Sequence, residues 1–273
     1  MIHDINALPP SMCILLWGCL IAAPVVMLII TALAFKDGPE NWLKDVLRAV
    51  WYNCRNARFK FHRLGPMNFL CEGDGVQWEV YNVPSFEVGN DLIALRGYMS
   101  RYNLKSGDRV LDAGASSGVA TLYFSKMVGD KGKVMALEPD KASFKKLIQN
   151  CKSANVRNVT CWQWALMDKS GKVNFNSGNG QSSNVQNNGN TSIPCMTIND
   201  CGRVDFVKMD IEGAEIEAML GFDFGQKPVF AIASYHIRDG KKTCGWLEDF
   251  FRRKGYKTIT SHNIHLTTHA FYC

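Results

Sequence analysis

Val110-Leu111-Asp112-Ala113-Gly114-Ala115-Ser116-Ser117-Gly118 is the stretch that decides the fold. An apolar run ends in an acid, a Gly-x-x-x-Gly turn follows, and Val119 to Val128 continues as a helix-like run. Strand, glycine turn and helix start form the nucleotide cradle of a doubly wound α/β sheet, where a helix N-terminus turns its backbone N–H groups toward the ligand. The spacing is not the G-x-G-x-x-G of a pyrophosphate loop. Asp112 stands just before the first glycine. A carboxylate there suits a cationic ligand and repels a diphosphate. S-Adenosylmethionine, with its sulfonium and ammonium groups, fits. An NAD-dependent oxidoreductase, a rival on a related fold, fits poorly.

The second half of the cradle lies where it is expected. Val134-Met135-Ala136-Leu137-Glu138 reads as the next parallel strand, and Glu138 comes 20 positions after Gly118. An acid at that strand tip commonly holds the ribose hydroxyls. The plainer reading is a structural turn at Gly114 and Gly118 with Glu138 capping a helix. Loop, spacing and acid together favour a cofactor site, with Gly114, Ala115, Ser116 and Gly118 as its loop.

A third segment, Val204-Asp205-Phe206-Val207-Lys208-Met209-Asp210-Ile211-Glu212-Gly213-Ala214-Glu215, resembles the K-x-D-x-E-G-x-E signature of FkbM-type methyltransferases. Val110 to Gly118 resembles that family's first cofactor motif. Trp164-Ala165-Leu166-Met167-Asp168 with Gly171 resembles its third-strand segment, and Met196 to Asp200 resembles its T-L-D segment. The resemblance covers roughly Ser100 to Tyr256. It implies a class I, Rossmann-like fold, S-adenosylmethionine as cofactor, cofactor contacts at Trp164, Ala165 and Asp210, and transfer of a methyl group to a hydroxyl oxygen.

The 273 residues suffice for one α/β domain with an appendage. Net charge is +6, and residues 1–63 contribute +3 of it. No dense basic run with interleaved aromatics occurs, so nucleic acid is not an expected partner. None of the ten cysteines forms a C-x-x-C pair, which argues against structural zinc, and a reducing compartment is the simpler reading.

Ser11 to Phe35 is a run of 25 residues without a charge. As a helix it would reach roughly 37 Å at about 1.5 Å per residue, enough for a bilayer core of about 30 Å. A cleaved signal peptide is the rival, since Ala32-Leu33-Ala34 resembles a cleavage box, but no Lys or Arg precedes the run. Lys36, Lys44, Arg48, Arg55, Arg58, Lys60 and Arg63 all follow it. The expectation is a single-pass membrane protein with its N-terminus outside and its catalytic domain in the cytosol. Pro39 to about Arg58 reads as a basic amphipathic helix, lying along headgroups or packed on the enzyme domain.

The organisation expected is therefore a tail over 1–10, a transmembrane helix over 11–35 and a basic juxtamembrane helix over 36–62. A methyltransferase domain follows over 63–273, with a β-rich lead-in to 105 and the Rossmann-like core from 106. Helices are expected at Asp91–Tyr102, Lys141–Ser153 and Cys244–Lys254, and strands at Val159–Ala165 and Val229–Ser234. Asn174 to Asn190, rich in Asn, Gly and Ser, reads as a loop. The fold class is α/β with a mostly parallel, doubly wound, seven-stranded sheet and a C-terminal antiparallel hairpin over Thr258–Tyr272, with no further domain after it.

Methyl transfer to oxygen aligns nucleophile, methyl and sulfur, and an alcohol nucleophile needs a base. Asp210 at the fourth strand tip and His236 just past the fifth should both face the transferred methyl group, and either could be the base. Glu212 and Lys208 are further catalytic candidates. Glu215 reads more simply as a carboxylate complementing a helix dipole. A divalent metal held by Asp210 and its neighbours, as in some other O-methyltransferases, is the less favoured alternative, since no His/Asp cluster with metal-ligand spacing occurs, and no metal site is expected. The acceptor expected is a sugar, a lipid-linked glycan or another membrane-associated metabolite. The alternative is an inactive membrane-tethered interaction protein on the same fold.

Overall fold

The computed structural model describes residues 24–35, 42–177, 184–185, 189–261 and 265–272. An N-terminal unit comes first. It holds helices α1 (24–34) and α2 (Trp42–Arg55), strands β1 (Phe59–Gly65), β2 (Asn68–Gly73) and β3 (Val76–Val80), and helix α3 (Ser85–Tyr98). The nucleotide-cradle half follows as β4 (Arg109–Ala113), α4 (Val119–Val128), β5 (Lys133–Leu137), α5 (Lys141–Ser153) and β6 (Val159–Trp162). Next come β7 (Ala165–Leu166), β8 (Gly171–Asn176), β9 (Asn184–Val185) and β10 (Thr191–Met196). The second half is β11 (Phe206–Met209), α6 (Glu215–Leu220), β12 (Val229–Ala233), β13 (Ile237–Arg238), β14 (Lys241–Lys242), α7 (Thr243–Arg253), β15 (Tyr256–Ser261) and β16 (Thr267–Tyr272).

The main sheet has seven strands in the order β15-β16-β12-β11-β4-β5-β6. β12, β11, β4, β5 and β6 run parallel, and β16 pairs antiparallel with both β12 and β15. Both the parallel sheet and the C-terminal hairpin agree with the sequence reading. The central strands are apolar on both faces because helices cover both: Leu111, Ala113, Val207, Met209, Phe230 and Ile232 are all fully buried. The chain runs from β4 outward to β6 and returns to lay β11 beside β4. That reversal opens the crevice at the strand ends where α/β folds bind ligands.

Local chemistry fixes the helix starts. The Asp140 side chain accepts from the Ala142 and Ser143 N–H groups and caps α5. Gly118, with φ +93°, turns the chain into α4, and a Cβ there would lie 2.8 Å from Leu147 of α5.

Several elements differ from the sequence reading. α3 begins at Ser85, six residues before Asp91, with Pro84 extended just ahead of it. Gly89 looks like a helix breaker, but it lies in α3 because the Tyr52 ring of α2 occupies the space a Cβ would need. The third strand ends at Trp162, and Ala165 joins a separate four-stranded sheet, β7-β10-β8-β9. Asn174 to Asn176 are strand rather than loop: Asn174 and Phe175 pair with Ser192 and Thr191, and Asn176 pairs with Asn184. Of the expected Asn-rich loop, 178–183 and 186–188 lie outside the described residues.

The membrane span and the localisation built on it are corrected. Among the described residues no helix is long and apolar enough to cross a membrane. Its described portion, α1, is about 16 Å long at 1.5 Å per residue, roughly half a bilayer core. The end of α1 is held by protein groups. Trp51 Nε1 donates to Thr31 Oγ1 at 2.9 Å, Arg48 Nε donates to the Ala34 carbonyl at 3.0 Å, and the Phe35 and Trp51 rings meet edge-on at 5.1 Å. Residues 1–10 and 11–23 lie outside the described residues. α2 packs on the rest of the chain: Lys44 and Arg48 are buried, Asn53 exchanges two hydrogen bonds with the Phe61 backbone, and the Tyr52 hydroxyl donates to Asn90 Oδ1 at 2.7 Å.

The Gly89–Tyr52 contact tests this packing. Gly89→Ala would gain about 1 kcal/mol of helix propensity and lose about 1–3 kcal/mol or more to overpacking. Thermal unfolding should show a net loss of stability. A raised melting temperature would show that α2 does not sit on α3 this closely.

Candidate active site

The sheet crevice opens into a cavity of about 300 Å³ at the carboxyl ends of β4, β5 and β11. The glycine loop forms its floor. The N–H groups of Gly114 and Ala115 both donate to the Leu137 carbonyl, at 2.9 and 3.0 Å, so the loop is tied to the tip of β5. Gly114 has φ +75°, and a side chain there would strike the Asp210 carbonyl. The loop and the tip of β11 are thus in direct contact, and only glycine fits between them.

Glu138 sits on the cavity wall, and its carboxylate accepts from the Ser116 N–H at 2.7 Å and the Asp140 N–H at 2.9 Å. Burial outweighs these hydrogen bonds and pushes its pKa up to about 7. Trp164 and Ala165 also line the cavity, with Ala115 and Ser116.

Asp112 and Gly118 are placed differently. Asp112 is fully buried behind the loop and does not line the cavity. One carboxylate oxygen lies 3.1 Å from Lys208 Nζ, and the other accepts from Thr121 Oγ1 at 2.6 Å. Lys208 in turn donates to the Gly114 carbonyl at 2.6 Å. Burial alone would lower the lysine's pKa, but Asp112 and Asp210 outweigh it, and the pKa is raised. Lys208 is therefore a permanent cation that clasps the loop. Gly118 serves helix packing and does not line the cavity.

Asp210 faces the cavity from the end of β11. Its Oδ2 accepts from the Tyr98 hydroxyl at 2.7 Å, and its Oδ1 from the Tyr235 hydroxyl at 3.3 Å. Burial first, then the Asp210 charge, raises both phenol pKa values, so each remains a donor. His265 Nε2 stands 4.0 Å from Oδ2, and burial lowers its pKa despite that carboxylate.

Beyond Asp210 the backbone turns sharply. Glu212 is in the left-handed region at φ +54° and Gly213 follows at +98°. A non-glycine residue held there is strained, which is common at functional sites. The turn is held from below by Glu215, fully buried, whose Oε1 accepts from the Ile211 and Gly213 N–H groups. Arg238 donates to the Gly213 carbonyl at 2.8 Å and pairs with Glu217.

His236 is nine-tenths buried against this turn. Its Nδ1 lies 2.9 Å from Glu215 Oε1, and its Nε2 lies 3.5 Å from Glu212 Oε2 and 3.7 Å from Asp210 Oδ1. Burial would lower the imidazole pKa, but Glu212, Glu215 and Asp210 outweigh it and raise it to about 10.

The structure thus brings Asp210, Glu212 and His236 together, and Asp210, Glu212 and Lys208 onto the cavity wall. Among the wall residues that escaped the sequence reading are Asp91 and Tyr98 on α3, Tyr235, and His265. Burial first, with Glu87, Asp210 and Asp112 adding to it against Lys208, pushes the Asp91 carboxyl up to about 7. Tyr235 adjoins His236, so strand-tip position was a usable signal for it. Nothing in the sequence pattern relates α3 to the strand tips.

Residues 112–258 match the family model of the methyltransferase FkbM domain. The chain belongs to the FkbM methyltransferase family. The cofactor of this family is S-adenosylmethionine. The chain is similar to the crystal structure of methyltransferase FkbM from Methylobacillus flagellatus KT, with 16% identity over 94% of this chain and a TM-score of 0.50. It spans 60% of the length of that protein. It also resembles precorrin-6y C5,15-methyltransferase from Geobacter metallireducens GS-15 (17% identity, 67% of this chain and 88% of that one, TM-score 0.48). Aeropyrum pernix fibrillarin, solved with natively bound S-adenosyl-L-methionine, is a further neighbour (13% identity, 77% and 96% covered, TM-score 0.42). No curated protein sequence matches the chain.

Two outcomes follow from this geometry. Asp112→Ala leaves the Lys208 ammonium buried without its partner, and unfolding measurements should show a loss of about 3–5 kcal/mol. Near wild-type stability with weakened cofactor binding would instead mean that Asp112 acts on the cofactor. Glu138→Ala should weaken cofactor binding by about 1.5–3 kcal/mol, the worth of hydrogen bonds to a charged group. Glu138 and Asp91 must both ionise to receive a cationic cofactor. With both pKa values near 7, wild-type affinity should rise with pH through about 7. Calorimetry finding pH-independent affinity would remove that role from both carboxylates.

Proposed function

We propose that the chain transfers the methyl group of S-adenosylmethionine to a hydroxyl oxygen of a sugar-like acceptor. The observation that carries this reading is the position of Asp210. Its backbone touches the glycine loop that cradles the cofactor, and its carboxylate faces the same cavity between two tyrosine hydroxyls. Asp210, Glu212, Tyr235 and His265 give that part of the wall several hydrogen-bonding groups on aromatic and carboxylate side chains, which suits a polyhydroxylated acceptor.

In the reaction, the acceptor oxygen attacks the methyl carbon in line with the breaking carbon–sulfur bond. The electron pair of that bond goes to sulfur, and the sulfonium charge is discharged. The hydroxyl proton must leave as the oxygen attacks. Asp210 is the group placed to orient the hydroxyl and accept that proton. Tyr98 and Tyr235 hold its carboxylate in one orientation, so less entropy is lost when the acceptor docks. Its charge also favours the cationic cofactor. Lys208 is a positioning residue, since its ammonium is spent on Asp112 and the Gly114 carbonyl.

Binding and base roles of Asp210 separate in kinetics. If it is the base, Asp210→Asn lowers the saturated rate by roughly 100-fold or more. His236→Ala should cost less. A raised cofactor dissociation constant with an intact saturated rate would confine Asp210 to binding. A larger loss in His236→Ala, with circular dichroism showing both variants folded, would give the base role to His236.

A further inference from the structure

The geometry points to a divalent-cation site formed by Asp210 Oδ1, Glu212 Oε2 and His236 Nε2 at the edge of the acceptor side of the cavity. These residues lie on two different loops, the turn after β11 and the segment after β12. One donor atom from each falls within 4.8 Å of the others. An ion about 2.1 Å from each donor needs donors roughly 3.0–3.4 Å apart. The Nε2 distances of 3.5 and 3.7 Å reach that range with shifts of a few tenths of an ångström.

Burial of the imidazole is the second observation. His236 is nine-tenths buried, and its Nε2 makes no aligned hydrogen bond. A buried polar ring is ordinarily hydrogen-bonded. Here Nε2 aims into the gap between two carboxylates. Nδ1 lies 2.9 Å from Glu215, which is itself fixed by the Ile211 and Gly213 N–H groups. A carboxylate behind the far nitrogen of a histidine is the usual support of a metal ligand, since it sets the ring's orientation and tautomer. From its left-handed backbone position Glu212 holds its carboxylate 3.5 Å from the ring's Nε2. The two converging carboxylates repel each other, and a divalent ion neutralises both. One nitrogen and two oxygens, with room for water or substrate, suit an ion of the Mg²⁺ or Mn²⁺ kind.

The role of the ion rests on the hydroxyl-acceptor reading above. An acceptor hydroxyl that takes an open coordination position becomes more acidic. Its proton passes to the Asp210 carboxylate, its oxygen forms the new C–O bond, and the C–S bond breaks with its electron pair going to sulfur. The products are the methyl ether and the neutral thioether of the cofactor. Asp210 then acts through the ion as well as through its own charge.

The test is Mn²⁺ titration of the EDTA-stripped full chain, following the electron paramagnetic resonance signal of free Mn²⁺. S-Adenosylmethionine affinity is measured in parallel by calorimetry. One Mn²⁺ per chain is expected. Glu215→Gln should weaken it by about 10–100-fold, the usual effect of losing an outer-shell partner. His236→Ala and Glu212→Gln should weaken it more. The cofactor affinity of His236→Ala should stay at the wild-type value, which shows that the fold and the loop are intact. Wild-type protein that binds the cofactor but no Mn²⁺ overturns the site, as does Mn²⁺ binding unchanged in His236→Ala. Mn²⁺ bound by these residues without methyl transfer to any hydroxyl compound would support the site and overturn the acceptor reading.

Discussion

The buried pairing of Lys208 with Asp112 is the constraint on which the site depends. It lies between the two central strands, β4 and β11, with both side chains almost wholly removed from water. Ion pairs in such surroundings add little net stability, because desolvation offsets the attraction. What this pair supplies is position. The ammonium that satisfies Asp112 also reaches the Gly114 carbonyl, so one cation joins both strands and the cofactor loop. Asp210, two residues along from Lys208, is thereby set at a fixed distance from the loop.

The surrounding charges are uneven. Asp91, Glu138, Asp210 and Glu212 face the cavity, and Lys208 is the cation among its wall residues. A cavity so lined favours a positively charged guest. Two of these carboxyls, Asp91 and Glu138, are pushed by burial to pKa values of about 7 and so carry a proton part of the time near neutral pH. Those beyond the tip of β11 cluster instead around an imidazole. The two halves of the cavity therefore handle negative charge differently: one by proton uptake, the other by pairing.

The fold was largely legible because its strands and glycine turns are local signals. Asp112-Ala113-Gly114 and the acid at Glu138 each lie within one strand–turn–helix unit, and the sheet order follows from that pattern. The role of Asp112 was less legible. Sequence placed a carboxylate beside the loop, but only packing shows that it points away from the cavity to a lysine 96 positions later. Tyr98 and Asp91 were invisible because nothing in the local pattern of α3 tells which strand ends it covers. His236 and Glu212 were named, but their convergence depends on a left-handed residue that no propensity rule assigns to glutamate. The 25-residue apolar run showed the limit of hydropathy. Composition makes such a run look like a span, yet the end of it that is described hydrogen-bonds to α2.

α3 has one further consequence. Its outer side receives Tyr52 at Gly89 and Asn90, and its inner side delivers Asp91 and Tyr98 to the cavity. Asn90, which receives the Tyr52 hydroxyl, is thus the immediate neighbour of Asp91 on the cavity wall. The segment shared with the family begins only at residue 112. The cavity wall is consequently drawn partly from outside that segment, at Asp91 and Tyr98. A change in how α2 packs on α3 would therefore reach the cavity through Asp91 and Tyr98 while leaving the glycine loop untouched.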